Sequence, residues 1–139
     1  MPILDLTSIH PGLAGSASLV VGPEHIAPRI GSGRIPVLAT PVMISLIEAA
    51  ALAAAEPLLP PGHQSLGILL DVRHFAATPE GLTVVATAQV TKVVGRTISF
   101  RVEARDEREP IGDGVHERVV VNVARFDERV RRKVRGGAP

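Results

Sequence analysis

The segment LATPVMISLIEAAALAAAEPLL, residues 38–59, constrains the fold of this chain more than any other. Between Pro41 and Ala55 its only charged residue is Glu48, and Ala and Leu predominate. A helix that is apolar all round must be enclosed by protein on most sides, so the rest of the chain has to wrap around it. Thr40 is expected to be its N-cap, with Pro41 at the first helical position, where a missing N–H does no harm. Pro57 and the PLLPPG run stop it. Broken by Glu48, Glu56 and Pro57, the segment is expected to be too short to span a bilayer comfortably. An ionised carboxylate in such a helix is costly unless a partner or a pKa shift offsets it, so Glu48 needs a reason to be there.

The flanking sequence supplies the wrapping. Residues 13–21, LAGSASLVV, suit a first strand. Residues 22–36 concentrate Gly and Pro without a period, which makes them a loop and a candidate flap over a site. After the helix, 65–79 gives a strand ending near His74, and 82–94 alternates with Leu82, Val84, Ala86, Ala88 and Val90 on one face. In 97–105, Ile98, Phe100, Val102 and Ala104 alternate with Ser99, Arg101, Glu103 and Arg105. In 111–126, Val115, Val119, Val121 and Val123 share one parity, and His116, Arg118, Val120 and Asn122 the other. The charged tail, about 127–139, suits a short solvated helix or a frayed end. One strand, a loop, a buried helix and four long antiparallel strands specify an α+β protein. A curved antiparallel sheet wrapped around one central helix, the hot-dog fold, satisfies that order. No linker divides the chain, so residues 1–139 are expected to form a single domain.

Composition narrows the function. The 15 basic and 14 acidic residues give a net charge of +1, and aromatics are 2%, so neither a basic surface nor base-stacking platforms point to nucleic acid. With no cysteine there is no disulfide, thiolate metal site or Cys nucleophile. The histidines His10, His25, His63 and His116 lack ligand spacing, and HERVV lacks the second histidine of a zinc-binding helix, so no metal is implied. The N-terminus MPILDLTSIHPG has no signal-peptide pattern, and a soluble cytoplasmic protein with no membrane partner is the expectation.

Three segments, ATPVMISLIEAAA, SLGILLDVRHFAATPEGLTV and IGDGVHERVVVNVARFDERV, resemble the fluoroacetyl-CoA thioesterase family of the hot-dog superfamily, from about Val37 to about Val134. The resemblance implies hydrolysis of an acyl-CoA without a cofactor, and catalytic residues Thr40, Glu48 and His74. It also implies Gly67 beside the thioester and Arg118 in the last strand as substrate-binding positions. The family's lid carries phenylalanines that help select the fluorinated acyl group, whereas the matching stretch here, RIGSGRIPVLA, has no aromatic residue.

The residues support that chemistry to different degrees. Eight residues separate Thr40 from Glu48, about 80° around the helix and about 12 Å along it, so a substrate or strand residue must lie between them. Glu48 suits a nucleophile or general base, His74 a proton shuttle coupled to it in titration, and Thr40 a hydroxyl donor. Each has a plainer reading: Thr40 as a cap, Glu48 snorkelling at a helix edge or paired with Arg118 or Arg73, His74 as a hydrogen-bonded strand histidine, and Gly67 as a bulge. Arg118 would pair with a carboxylate or with CoA phosphates, and Lys92, Arg96 and the basic tail are the other candidates for CoA. The leading reading is a homodimeric acyl-CoA thioesterase; the alternative is a non-catalytic module that binds acyl-CoA or another small ligand.

Overall fold

In the computed structural model, which describes residues 4–137, five strands form one antiparallel sheet. The elements are β1 (Ala14–Val20), α1 (Ala27–Ile30), α2 (Thr40–Ala55), β2 (His63–His74), β3 (Thr83–Val94), β4 (Thr97–Arg105), β5 (Pro110–Asn122) and α3 (Val123–Val134). Their order across the sheet is β1-β3-β4-β5-β2, with β1 and β2 at the edges. This is the expected hot-dog arrangement, with α2 on one face of the sheet.

The alternating strands put their apolar parity inward as expected: Val84, Ala86, Ala88 and Val90 on β3, and Ile98, Phe100, Val102 and Ala104 on β4, are all buried. Met43, Leu46, Ile47, Ala50, Ala51, Ala54 and Ala55 of α2 meet them. The alanines let the helix lie close to β1. A Cβ on Gly15 would stand 2.5 Å from the Ala54 backbone nitrogen and 2.6 Å from the Ala50 carbonyl oxygen, so only glycine fits there. Thr40–Leu58 is in fact long and apolar enough to cross a membrane by length and composition alone. In the fold, seven residues of α2 are core residues of the sheet packing.

The helix covers the sheet unevenly. It lies over β1 and β3 and touches β4 and β2 only marginally. The inner face near the β2 edge is therefore left open, and β2 exposes Leu66, Ile68, Leu69 and Leu70.

Two local expectations change. Ala39, not Thr40, caps α2, and no side chain closes that cap, which frees the Thr40 hydroxyl for another partner. The last strand stops at Asn122 rather than running to 126, because the Asn122 side chain accepts the Arg125 N–H at 3.1 Å and starts α3. On β5 the inward parity is the polar one: His116, Arg118 and Val120 are buried, while Val115 is 47% exposed. The loop at 22–36 is ordered at its base, where the Ala27 N–H donates to the Val37 carbonyl and the Ala39 N–H to that of His25, each at 2.9 Å.

Candidate active site

Glu48 is in the apolar helix with a partner. Its Oε2 accepts a hydrogen bond from the Arg118 guanidinium at 3.1 Å, across from β5. The arginine side chain is 5% exposed and the glutamate 36%, so the carboxylate faces the opening while the cation is enclosed. Arg118 is fixed from every side. Its Nε donates to Ser65 Oγ at 2.8 Å, its second terminal nitrogen to the Ser65 carbonyl at 3.1 Å, and the nitrogen that holds Glu48 also donates to His116 Nε2 at 3.2 Å. Ser65 in turn donates its hydroxyl to Glu56. A buried cation with its donors paired this way escapes most of the desolvation penalty.

Gly67 on β2 lies opposite Arg118 in register. A Cβ there would stand 2.6 Å from Glu48 Oε2 and 3.2 Å from His116 Cε1. The register also shifts between Gly67 and Leu69, so the glycine marks a bulge as well as the close approach of the carboxylate.

The second group lies at the other end of β2. Thr40 Oγ1 and His74 Nδ1 are 2.7 Å apart, so the threonine hydroxyl meets the imidazole rather than the helix end. Nε2 of His74 is buried and has no hydrogen-bond partner among the described residues. Burial lowers the pKa of this ring from its usual 6.5, and the Ala76 backbone opposes that shift from outside hydrogen-bonding geometry. Burial thus favours the neutral ring over the protonated one that a Glu48–His74 ion pair would require. Thr40 and His74 line a pocket of about 380 Å³ together with loop residues Gly33, Ile35 and Val37. Phe75 also lines it, 51% exposed, with the Arg73 guanidinium 5.5 Å from its ring centre. The pocket therefore has one aromatic residue, supplied by the segment after His74 rather than by the lid.

The structure brings Thr40 to His74, and Glu48 to Gly67 and Arg118. Among the described residues no hydrogen bond joins the two groups, as the axial separation of about 12 Å along α2 requires. His116 and Ser65 belong to the Glu48 group, although spacing gave them no role. The available signal was the polar parity of β5, which no solvent-facing strand explains. Of the basic candidates, Arg96 rims a groove of about 590 Å³ with Arg129 and Lys133 of α3, floored by Leu66, Ile68 and Val119, and Gly67 also lines it. Lys92 is exposed and lies outside that groove.

A model of the fluoroacetyl-CoA-specific thioesterase family matches residues 21–124. The fluoroacetyl-CoA thioesterase of Streptantibioticus cattleyicolor is 46% identical over 101 residues, 73% of each chain. A solved structure of the fluoroacetyl-CoA thioesterase superposes with a TM-score of 0.85 at 38% identity, covering 90% of this chain and 97% of that one. A thioesterase superfamily member from Thermus thermophilus superposes with a TM-score of 0.83 at 29% identity, covering 91% and 94%. With its hot-dog architecture and this match over most of its length, the chain belongs to the fluoroacetyl-CoA-specific thioesterase family.

Proposed function

We infer that this chain hydrolyses a small acyl-CoA to the free acid and CoA, as a soluble, cytoplasmic homodimer that needs no cofactor. The observation that carries the reading is a part-exposed carboxylate, in an otherwise apolar helix, held by an enclosed arginine. Glu48 either takes a proton from the attacking water or attacks the thioester carbon itself. The Thr40 hydroxyl donates to the oxyanion while its oxygen accepts the Nδ1–H of neutral His74, and the bare Nε2 of that ring takes a proton from water, directly or by way of Glu48, and passes it to the departing thiolate. The phosphates of CoA suit Arg96, Arg129 and Lys133, which rim a groove that Gly67 also lines. A hydrolysis screen over acyl length and polarity tests the reading; binding of acyl-CoA without turnover would favour a non-catalytic module.

The dimer supplies what one protomer lacks. β2 is a long edge strand with an apolar stretch, and α2 leaves the inner face beside it open. Thr40 and His74 lie at one end of β2, and Glu48, Gly67 and Arg118 towards the other. Antiparallel pairing of two β2 strands about a two-fold axis near Leu70–Val72 would carry the Gly67 end of one to the His74 end of the other. Each site would then combine Glu48 of one protomer with Thr40 and His74 of its partner. Light scattering at micromolar concentration should give a dimer, and a monomer would sink this arrangement.

Selectivity follows from the pocket wall. With Ile35 and Val37 in the lid and Phe75 as the one aromatic, fluoroacetyl-CoA should be hydrolysed with little preference over acetyl-CoA. A measured preference of about a hundredfold, roughly 2.7 kcal/mol in transition-state binding, would overturn this and point to Phe75.

A further inference from the structure

We propose that His116 is a positioning residue, acting through Arg118 to aim the Glu48 carboxylate; the proposal rests on the thioesterase reading above. His116 is fully buried on the inward face of β5, where an apolar residue would pack at lower cost. Both of its ring nitrogens are engaged. Nδ1 lies 2.8 Å from the Leu69 carbonyl oxygen, which can only accept, and Nε2 lies 3.2 Å from the Arg118 guanidinium, which can only donate. The neutral tautomer is thereby determined, with the proton on Nδ1 and a bare Nε2. Phe100 stacks against the ring with centroids 5.9 Å apart and holds its plane.

The same Arg118 nitrogen that donates to Nε2 also donates to Glu48 Oε2, and each of its two hydrogens has one partner. Fixing one hydrogen on His116 fixes the direction of the other. Ser65 holds the remaining side of the guanidinium through Nε and the second terminal nitrogen, and His116 braces the terminal nitrogen that reaches Glu48. Leu69 follows the β2 bulge, so His116 ties the bulge at Gly67, through Arg118, to the reacting carboxylate. Burial keeps the ring's pKa below its usual value, so Nε2 stays bare at neutral pH.

Two substitutions separate aiming from packing. His116→Asn keeps an amide near the Nδ1 position for the Leu69 carbonyl and offers Arg118 no acceptor. His116→Gln reaches the Nε2 position with a carbonyl oxygen. With acetyl-CoA as probe, kcat of the Asn variant should fall at least about tenfold with KM nearly unchanged, and the Gln variant should recover most of it. Nitrogen NMR of the unaltered protein should show a protonated Nδ1 and a bare Nε2, independently of turnover. Equal kcat in all three proteins, with only the melting temperature lowered, or a protonated Nε2, would overturn the role of His116 alone. An unaltered protein that hydrolyses no acyl-CoA would instead remove the functional reading, and the proposal with it.

Discussion

Mixing Glu48→Gln and His74→Ala protomers should restore activity that neither variant has alone. Each single variant is expected to lose at least about a hundredfold in kcat/KM, or about 2.7 kcal/mol of transition-state stabilisation. The double variant should lose little more than the worse single one, because groups serving one reaction are not additive. In a composite site, a mixed dimer has one site with both defects and one with none. Random assortment makes about half the dimers mixed, so reassembled mixtures should regain about a quarter of the unaltered activity. No recovery, with exchange of protomers verified, would place Glu48 and His74 in the same site of one protomer. The glutamine is chosen with the packing in mind. Glu48→Ala would leave Arg118, 5% exposed, with an uncompensated charge, and would therefore destabilise the protein rather than relieve it of a costly acid. Glutamine keeps an acceptor for Arg118 and removes only the charge and the basicity.

The fold was legible wherever burial follows a simple period. β4 runs over the expected residues, and β3 buries the parity that its alternation marked, since those strands have only a core to face. β5 carries the same alternation, but it faces the site, so His116 and Arg118 turn inward with Val120 while Val115 turns out. No hydropathy rule anticipates that inversion, because its stabilisation comes from hydrogen bonds to β2 and α2 that only the folded chain supplies. Thr40 illustrates a different limit. A threonine before a proline is locally a good cap, and only the arrival of His74, 34 residues on, shows where its hydroxyl goes. Val123 fits the strand by parity, yet Asn122 carries the helix-start signal. The pairing of Glu48 with Arg118 is one of the structural alternatives in the sequence, and it is compatible with the proposed catalytic role because the carboxylate is part-exposed while the guanidinium is enclosed. The separation of Glu48 from His74 was implied by helix spacing, but a single sequence does not specify the register of a partner strand.

Stability should hold from alkaline pH down to about the ordinary imidazole pKa and then decline as the solution is acidified further. His116 and His74 both have pKa values lowered by burial from the usual 6.5. At His116 the Leu69 carbonyl opposes the shift, the Arg118 charge adds to it and the Glu48 charge opposes it. The unfolded chain therefore binds protons at pH values where the folded chain does not, and stability rises with pH across that window. Above pH 6.5 the contribution is complete. Below it, each histidine removes up to about 1.4 kcal/mol per pH unit until the folded-state pKa is reached, after which its effect is constant. Asp106 acts in a separate, lower window. Burial raises its pKa, but hydrogen bonds from the Arg108 and Glu109 N–H groups and the Thr78 hydroxyl bring it below 3.8, so its contribution is lost only beneath that value. Denaturant midpoints measured from pH 8 to pH 3 should thus fall in two stages, and His116→Asn should flatten the first. Protonating His116 would also place an N–H against the Arg118 guanidinium, so kcat should decline within the first stage, before the protein unfolds. An unchanged first stage in His116→Asn would assign that stage to His74 alone and disconnect acid loss of stability from the support of Glu48.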